Sequence, residues 1–521
     1  MSMNRLAKKF MTGVLTASMV GAFMAVPTFA DELDTSISVT GAVSGDSAAY
    51  YQILKRNETS GEWELTDDMK DVTIDGESLK AADIVEGIDD GELHAITAAL
   101  SGSGTSMILD GTTFKADNVA AGTYVVIITP GSNNSGVVYN PVVVSADYDS
   151  TNNSNTSAVK KTDVTVEKKA GDTTDDKKDV NVGDIIPFEI TPVVPLFPKN
   201  YTNPVYKVTD TLSAGLEIKD SDGDGNLDDE ITVAGVGDEY YTVNAAKDGF
   251  TVEFNSTYLK NLTTAPTVTI TYNAVVTSDA TYSVNRMTNT ATINFSNSPD
   301  DETGNGTNED KTNHYTFTID GNLGGEYSAD EQTVNKELIK TAVDKNGNPI
   351  VTEDNKYTYA GSKTEVSPLA GATFKLTGEN LGEDGKTMTT GADGNIKFEG
   401  LDAGTYTLKE TSAPSGYVVD STEHTVVISA TYKTGSDELE SYSIAIDGKT
   451  TATFSVQNES NGTVTILKEG TTIYTSLINN TKATGLPSTG GMGTTVFYVV
   501  GIILIAGASI LLVTKRRMSA K

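Results

Sequence analysis

Short runs in which apolar and polar residues alternate recur along most of the chain. Examples are Val164–Lys168, Asn289–Phe295 and Tyr406–Glu410, and polar or Gly-rich segments separate such runs. A period of two is typical of β-strands that bury one face. The stretch near Leu79–Leu100 is helix-like instead. The pattern therefore predicts an all-β fold built from tandem immunoglobulin-like β-sandwich domains.

Polar tracts divide this pattern into segments. Residues 147–156 and 296–313 are rich in Asn, Ser, Thr and Asp, which is typical of linkers. Both chain ends are apolar and differ from the interior, which we divide into three domains. The predicted segments are residues 1–30, 31–158, 159–330, 331–481 and 482–521.

The N-terminal segment resembles a secretory signal peptide. Basic residues Arg5, Lys8 and Lys9 precede the apolar run Phe10–Val26. A small residue, Ala30, ends the segment and fits cleavage by signal peptidase directly after it. An uncleaved membrane anchor is the alternative. Cleavage after Ala30 is the expectation, because the polar start of a domain follows at once.

The C-terminal segment has three parts in a fixed order. Leu486-Pro487-Ser488-Thr489-Gly490 is followed by an apolar run over residues 496–513 and then by the basic Lys515–Arg517. The apolar run is long enough to cross a membrane, and the basic tail holds its end inside. The order resembles a sortase sorting signal, in which an enzyme cysteine attacks the Thr489 carbonyl and Gly490 leaves. This resemblance implies that the helix retains the chain only until cleavage, whereas a permanent tail anchor is the alternative.

The charge and the residue content of the chain exclude several kinds of function. The formal net charge is -33, and the interior is more acidic still because both end segments are basic. Such a surface repels nucleic acid and anionic membranes. The chain has no cysteine, so disulfides, thiolate metal sites and cysteine nucleophiles are excluded. The three histidines are isolated, and no HExxH, GxSxG or Walker motif is present, which argues against a turnover enzyme.

The third predicted domain carries the most specific motifs. Residues 406–417 read YTLKETSAPSGY, and NGNP at 346–349 and LAGATF at 369–374 precede them. These match the E-box and the first hairpin of Cna B-type pilin domains. Together with the sorting signal, they make the whole chain resemble the Spa/Fim-type, sortase-assembled LPXTG major pilins of Gram-positive bacteria. The motifs of the second domain are weaker. The first resembles the family only in its position and in residues 138–141.

The resemblance implies a function and a set of partners. A major pilin forms the shaft of a pilus, is polymerised covalently, is anchored to the cell wall and supports adhesion. The implied partners are pilus-type and housekeeping sortases, identical subunits, minor pilins and peptidoglycan, and no cofactor is required. A monomeric or minor-pilin surface adhesin is the alternative function, and a surface enzyme is a third.

In this family a lysine amine attacks an asparagine side-chain amide, ammonia leaves, and a nearby acid assists. Such isopeptide bonds would supply the covalent staples that cysteine cannot. The amine must be neutral and the acid protonated, so the three groups must face the core. Strand alternation in the third domain places Glu410 and Asn458 on inward faces. We expect Glu410 to be the acid and Lys340 to bond with Asn458, with Lys336 as the alternative lysine.

The same reasoning applies to the second domain. Lys168, Asp210 and Asn289 share faces with the apolar residues of their own strands. We therefore expect Asp210 to be the acid and Lys168 to bond with Asn289. The alternatives are Lys169, Asn294 and Glu253.

A separate lysine must accept the next subunit during polymerisation. In the family this lysine commonly lies in an aromatic-Pro-Lys-Asn motif, which Phe197-Pro198-Lys199-Asn200 resembles. The resemblance implies that Lys199 is the polymerising lysine. Lys160 and Lys161, at the predicted junction of the first two domains, are the competitors.

An acidic loop suggests a cation site. Asp220, Asp222, Asp224 and Asp228 surround Gly residues, and the first half of the loop resembles an EF-hand-like calcium loop. Position twelve is Ile231, and no flanking helices are evident. Calcium is therefore a candidate ligand, and a solvated acidic loop is the alternative.

Overall fold

A computed structural model of the 521-residue chain describes most of the region between the two ends. The described residues are 35–74, 76–146, 155–171, 176–280, 285–319, 333–334, 338–359, 364–458, 464–469, 476–483 and 492–518. The predicted leader with its cleavage site at Ala30 lies outside them, as does the predicted sortase motif Leu486–Gly490. The alternative lysine Lys336 also lies outside.

The described residues fall into two compact units. Unit 1 takes residues from 1–178, 182–280 and 287–314, and unit 2 takes residues from 179–181, 281–286 and 315–521. The predicted boundary between residues 158 and 159 therefore lies inside unit 1. The division of residues 31–330 into two separate domains stays a prediction.

The N-terminal part of unit 1 is built from short strands in several sheets. Strands β2, β3, β6, β9 and β11 form one sheet, strands β1, β7, β8 and β12 a second, and the pair β10–β13 a third. Their bounds are β1 Ile37–Thr40, β2 Ser47–Arg56, β3 Trp63–Leu65, β4 Thr73–Ile74, β5 Glu77–Ser78, β6 Thr105–Ser106, β7 Ile108–Asp110, β8 Thr113–Ala116, β9 Gly122–Thr129, β10 Val137–Asn140, β11 Val142–Ala146, β12 Thr156–Ala158 and β13 Lys160–Asp163.

Two helices interrupt these strands where the sequence predicted helical structure. They are α1 Ala81–Glu86 and α2 Asp90–Ala99. Asp89 and Glu92 form a reciprocal capping box at the start of α2, because each carboxylate accepts the other residue's backbone N–H at 2.8–2.9 Å. Leu93 and Ile96 of α2 pack with Val125 of β9 in a buried cluster. The helices therefore cover one side of this part of the unit.

The remainder of unit 1 contains two larger sheets. One has the order β14-β15-β21-β17, with β18 paired to β21, and the other includes β19-β20-β16-β22-β23. Their bounds are β14 Val166–Ala170, β15 Ile185–Pro192, β16 Tyr206–Leu212, β17 Leu216–Ile218, β18 Thr232–Ala234, β19 Tyr241–Ala246, β20 Gly249–Phe254, β21 Thr269–Val276, β22 Asn285–Phe295 and β23 Gly306–Ile319. A short helix, α3 Ser256–Asn261, follows β20. In β15 and β16 alternate residues are buried, as expected for sheets that share a core.

Unit 2 is organised around a seven-stranded sheet, β29-β28-β31-β33-β34-β35-β36. Two three-stranded sheets, β24-β26-β27 and β25-β37-β32, accompany it, and β30 pairs with the end of β23. The bounds are β24 Thr333–Val334, β25 Leu338–Val343, β26 Tyr357–Tyr359, β27 Glu365–Val366, β28 Thr373–Gly378, β29 Lys386–Thr389, β30 Phe398–Leu401, β31 Gly404–Ser412, β32 Tyr417–Val418, β33 Glu423–Tyr432, β34 Leu439–Ile446, β35 Lys449–Asn458, β36 Val464–Glu469 and β37 Ser476–Lys482. A large apolar core that includes Phe374, Leu408 and Ile478 fills the unit. The predicted all-β sandwich architecture is confirmed.

Strand β25 pairs in parallel with β37 in unit 2. Lys340 lies opposite Ile478, and Ala342 lies opposite Asn480. A strand near the start of the predicted third domain is thus hydrogen-bonded to the last one before the sorting signal. Parallel neighbours cannot be joined by a tight turn, so this pairing links positions far apart in sequence.

The C-terminal helix α4, Met492–Met518, contains the predicted membrane-spanning run. Its segment Val499–Arg516 has a mean hydropathy of 1.9, is long enough to cross a membrane and is not buried against the rest of the protein. The apolar side chains of this segment are exposed, as expected for a helix that faces lipid.

A buried carboxylate ties together three parts of the N-terminal region. Asp46 is 6% exposed, and it accepts hydrogen bonds from the Val43 N–H at 2.9 Å, the Gly131 N–H at 2.9 Å and the Tyr139 hydroxyl at 2.7 Å. Removal of this carboxylate leaves three donors without an acceptor. The local free energy of opening should fall by about 1–3 kcal/mol.

We therefore expect Asp46→Ala to accelerate hydrogen exchange at the Val43 and Gly131 amides, measured by mass spectrometry of the chain. Asp110→Ala is the matched control, because Asp110 is exposed and only pairs with Lys115 on the surface. Equal protection of these amides in both variants would contradict the structural role of Asp46.

Candidate functional sites

Unit 1 brings three of the predicted site residues together in its core. Lys168 lies on β14, Asp210 on β16 and Asn289 on β22, so both larger sheets contribute. Lys168 is 5% exposed, Asp210 1% and Asn289 0%. Each occupies an inward position of its strand, which is why alternation in the sequence predicted all three. We refer to these residues with Tyr272 as the unit 1 cluster.

Tyr272 on β21 is the centre of this cluster, and sequence reasoning missed it. Its hydroxyl donates to Asp210 Oδ1 at 2.8 Å and accepts from Lys168 Nζ at 3.2 Å and from Asn289 Nδ2 at 2.5 Å. Lys168 Nζ also forms an ion pair with Asp210 Oδ2. In the sequence, Tyr272 could be recognised only by its inward position between Ile270 and Ala274. That position alone is typical of any residue of the hydrophobic core.

The environment of the unit 1 cluster disfavours charge. Burial lowers the pKa of Lys168, and the carboxylate of Asp210 offsets this only in part. Burial likewise raises the pKa of Asp210 against the opposing effect of Lys168. The rings of Phe188 and Tyr272 lie 4.9 Å and 5.4 Å from Lys168 Nζ. The pair is therefore biased towards a neutral amine and a protonated acid.

The alternative residues lie on the surface of the same unit. Lys169 is exposed and pairs with Glu167 at 3.5 Å. Glu253 pairs at 3.2 Å with Lys207, and Lys207 lies opposite both Glu253 and Asn294 in the strand registers. Lys207, Glu253 and Asn294 therefore form a surface trio with the same general chemistry as the buried cluster, but without desolvation.

Unit 2 holds a second buried cluster around Glu410 of β31. Glu410 Oε2 accepts from Lys340 Nζ at 3.3 Å, from Asn480 Nδ2 at 2.7 Å and from the Asp420 N–H at 2.7 Å. Lys340 and Asn480 are both 0% exposed, and Glu410 is 3% exposed. We refer to Lys340, Glu410 and Asn480 as the unit 2 cluster.

The asparagine that the structure describes at this site is Asn480, whereas the sequence led us to expect Asn458. Asn480 contacts Glu410, whereas Asn458 ends β35 and pairs through its backbone with Val464 in the seven-stranded sheet. Its side chain lies outside what the structure describes. The physical reason is the parallel pairing of β25 with β37, which places Asn480 two residues along the register from Lys340. Ile478 and Asn480 alternate inward, but the sequence does not reveal which strand lies beside Lys340.

Lys340 of the unit 2 cluster is buried, as Lys168 is in unit 1. Burial lowers the pKa of Lys340, and Glu410 counteracts this shift. The ring of Phe374 lies 5.3 Å from Lys340 Nζ. Among the described residues, neither Asn480 Oδ1 nor Asn289 Oδ1 has a hydrogen-bond partner. Each cluster thus presents a desolvated lysine and a carboxylate beside an amide whose oxygen is unpaired.

Lys199 lies on a turn of unit 1 after β15. The Tyr201 N–H donates to the Pro198 carbonyl at 3.1 Å, and the buried rings of Phe197 and Tyr201 lie 5.4 Å apart. Lys199 itself is half-buried between these anchors. Partial burial, reinforced by the charge of Lys260, lowers the pKa of Lys199. A lowered pKa increases the fraction of nucleophilic amine.

The competing lysines have a different setting. Lys160 and Lys161 are exposed on β13, and Lys161 pairs with Asp163 at 2.8 Å. They lie on a strand paired with β10 rather than on a turn held by buried aromatic rings. Lys199 therefore differs from both competitors in lying on a turn between buried aromatic residues.

The acidic loop gathers three of its four predicted ligands. Carboxylate oxygens of Asp220, Asp222 and Asp224 lie within 4.8 Å of one another, and all three residues are exposed. Asp228 instead accepts the Ala245 N–H at 2.6 Å. The loop lies between strands β17 and β18 rather than between helices. The three carboxylates fit a hard cation, and calcium binding stays a prediction.

We expect calorimetric titration of calcium into the chain to give heat that Asp222→Ala abolishes, because one of three clustered ligands is then lost. Asp229→Ala is the control, since Asp229 is exposed in the same loop but outside the cluster. No heat from the wild-type chain would remove calcium as a ligand.

Two protein-family models match parts of this chain, and so does one relative. Residues 360–443 match the SpaA prealbumin-like fold domain, and residues 478–519 match the LPXTG cell wall anchor motif. The chain is 25% identical over 479 residues to the trypsin-resistant surface T6 protein of Streptococcus pyogenes, covering 76% of this chain and 79% of the relative.

Two solved structures are similar to this chain to different degrees. The T6 backbone pilin of Streptococcus pyogenes superposes with a TM-score of 0.55 at 18% identity, covering 88% of this chain and 100% of that one. The full-length major pilin SpaD of Corynebacterium diphtheriae gives a TM-score of 0.44 at 17% identity, covering 88% and 99%. The first of these likenesses shows a shared fold.

Proposed function

We propose that this chain, which is a sortase-assembled LPXTG major pilin with a prealbumin-like domain, builds a pilus shaft stapled by amide bonds within and between its subunits. It is a structural protein anchored to the cell wall, not an enzyme with turnover. The observation that carries the proposal is the recurrence, in both units, of a buried lysine and a buried asparagine that hydrogen-bond to one shared oxygen beside or on a buried carboxylate. That oxygen is the Tyr272 hydroxyl in unit 1 and Glu410 Oε2 in unit 2.

The internal staples would join Lys168 to Asn289 and Lys340 to Asn480. In each case the lysine passes a proton to the carboxylate, and the neutral amine attacks the amide carbon. The new C–N bond forms, the old C–N bond breaks, and ammonia leaves. Desolvation of both lysines favours the first step. The reaction occurs once per site and needs no cofactor.

Such bonds suit a thin shaft under tension. The chain has no cysteine, so disulfides cannot supply covalent reinforcement. Folding stability alone is a small difference between large opposing terms. A covalent bond between strands distant in sequence would limit extension even if the sheets separated. The β25–β37 pairing would let the Lys340–Asn480 bond carry load directly between a strand near the start of the predicted third domain and the last strand of that domain.

The mature chain of residues 31–489 should have an intact mass lower than its sequence mass by two ammonias. Asp210→Ala and Glu410→Ala should each restore one ammonia, because each removes the acid of one cluster. Asn480→Ala should also restore one, whereas Asn458→Ala should restore none. High-resolution mass spectrometry of the intact chains measures all five masses.

Glu253→Ala is the matched control for these variants. It removes the carboxylate of the surface trio beside Lys207, so its mass should still be lower by two ammonias. A wild-type mass equal to the sequence mass would refute the internal staples in both units.

Links between subunits would use two other sites, the sortase motif that contains Thr489 and the acceptor Lys199. A sortase would cleave after Thr489, hold the chain as an acyl-enzyme, and transfer it to Lys199 of the next subunit. The half-buried turn at residues 197–201 presents this amine with a lowered pKa. Transfer to peptidoglycan at the final step would anchor the shaft. Minor pilins would complete it.

We expect a denaturing immunoblot of cell-wall extract to show a high-mass ladder for the wild type that collapses to monomer in Lys199→Ala. Lys247→Ala is the control for loss of an exposed lysine of the same unit, because Lys247 pairs with Glu217 on the surface, and it should keep the ladder. A ladder that persists in Lys199→Ala would move the acceptor to Lys160 or Lys161. A single band in the wild type would favour a monomeric wall-anchored adhesin.

A further inference from the structure

The two clusters differ in how the acid reaches the leaving amide. In unit 2, one oxygen of Glu410 contacts both reacting nitrogens, Lys340 Nζ at 3.3 Å and Asn480 Nδ2 at 2.7 Å. In unit 1, Asp210 contacts Lys168 but makes no hydrogen bond with Asn289 in the part of the chain that the structure describes. Aspartate is one methylene shorter than glutamate, which accounts for the gap.

Tyr272 fills this gap. Its hydroxyl lies 3.2 Å from Lys168 Nζ, 2.5 Å from Asn289 Nδ2 and 2.8 Å from Asp210 Oδ1. It therefore touches the attacking nitrogen, the leaving nitrogen and the acid at the same time. No other described side chain hydrogen-bonds to Asn289.

We infer that Tyr272 is a catalytic residue of the unit 1 reaction and carries a proton from the attacking nitrogen of Lys168 to the leaving nitrogen of Asn289. This inference rests on the internal staple proposed above. It adds a named proton path that unit 2 does not need, because Glu410 spans both nitrogens itself.

The proton balance of the step is closed. Lys168 first gives one proton to Asp210 and attacks the Asn289 side-chain carbon as a neutral amine. In the resulting adduct the attacking nitrogen carries an extra proton, which passes to the Tyr272 oxygen while the Tyr272 hydroxyl proton passes to Nδ2. The C–Nδ2 bond then breaks and ammonia leaves. Tyr272 ends as it began, and no oxidant or external reagent is consumed.

The surroundings suit a hydroxyl that relays protons without ionising. Tyr272 is 4% exposed, and its ring stacks on Phe188 at 5.2 Å and meets the edge of Phe250 at 5.0 Å. Burial, with the nearby charge of Asp210, raises the pKa of Tyr272 well above its ordinary value. Water is largely excluded, so a fixed hydroxyl must do what solvent does elsewhere.

The test follows bond formation in newly made chains of residues 31–489, sampled after a short expression pulse and analysed by intact mass and by the cross-linked peptide of each unit. Tyr272→Phe keeps the ring and its packing but removes the hydroxyl. It should slow the Lys168–Asn289 bond by about 100-fold or more, the usual range for a lost proton-transfer group. The Lys340–Asn480 bond in the same molecule should form at the wild-type rate.

A rescue variant separates catalysis from a structural role. Asp210→Glu combined with Tyr272→Phe gives unit 1 a longer carboxylate that can reach both nitrogens, as Glu410 does. Bond formation should then recover in large part. A merely structural loss at Tyr272 would not be repaired by one more methylene at another position.

The outcomes are distinguishable. If wild-type chains lose no ammonia in either unit, the internal staple itself is refuted. If they lose two and Tyr272→Phe bonds unit 1 at the wild-type rate, the role of Tyr272 is refuted and the staple stands. The double variant gives a second test that does not depend on the rate measured for Tyr272→Phe. Bond formation there supports the relay, and a folded double variant without the bond overturns it.

Discussion

Each unit buries a lysine against a carboxylate, and this desolvated pair is the constraint on which the rest of the arrangement depends. Moving two charges out of water is costly, and their mutual attraction recovers that cost only in part. Neutralisation by proton transfer would remove the penalty, and the proposed amide bond with the neighbouring asparagine would make the neutral state permanent. The sheets must hold Lys168 with Asp210, and Lys340 with Glu410, in place until then.

The surface trio in unit 1 isolates what burial contributes. Lys207 lies opposite Glu253 and Asn294 in its strand registers and forms a 3.2 Å ion pair with Glu253. Water stabilises the charges of that pair, so no comparable drive towards a neutral amine exists. The surface trio has the same kinds of residue close together as the buried clusters have. The difference is that the trio is exposed to solvent, whereas the clusters are buried. The proposed chemistry therefore depends on the core of the fold.

The two clusters also solve the same geometrical problem with different parts. Glu410 is long enough to contact both nitrogens, whereas Asp210 reaches Asn289 only through the hydroxyl of Tyr272. The shorter acid requires a third group, and the inward face of β21 supplies it. Both arrangements lie between strands that are remote in sequence, which is the useful place for a staple in a shaft without cysteine.

The sequence by itself determined the features that are local. Alternation predicted the strands and the inward faces of Lys168, Asp210, Asn289, Lys340 and Glu410, and the helical stretch near residues 79–100 and the terminal apolar helix also follow from nearby residues. Tertiary structure alone decided which strands are neighbours. It placed Asn480 beside Glu410 and brought Tyr272 between the acid and the amide. The physical reason is that side-chain direction is set by a strand's own backbone, whereas strand pairing is set by the packing of the whole core.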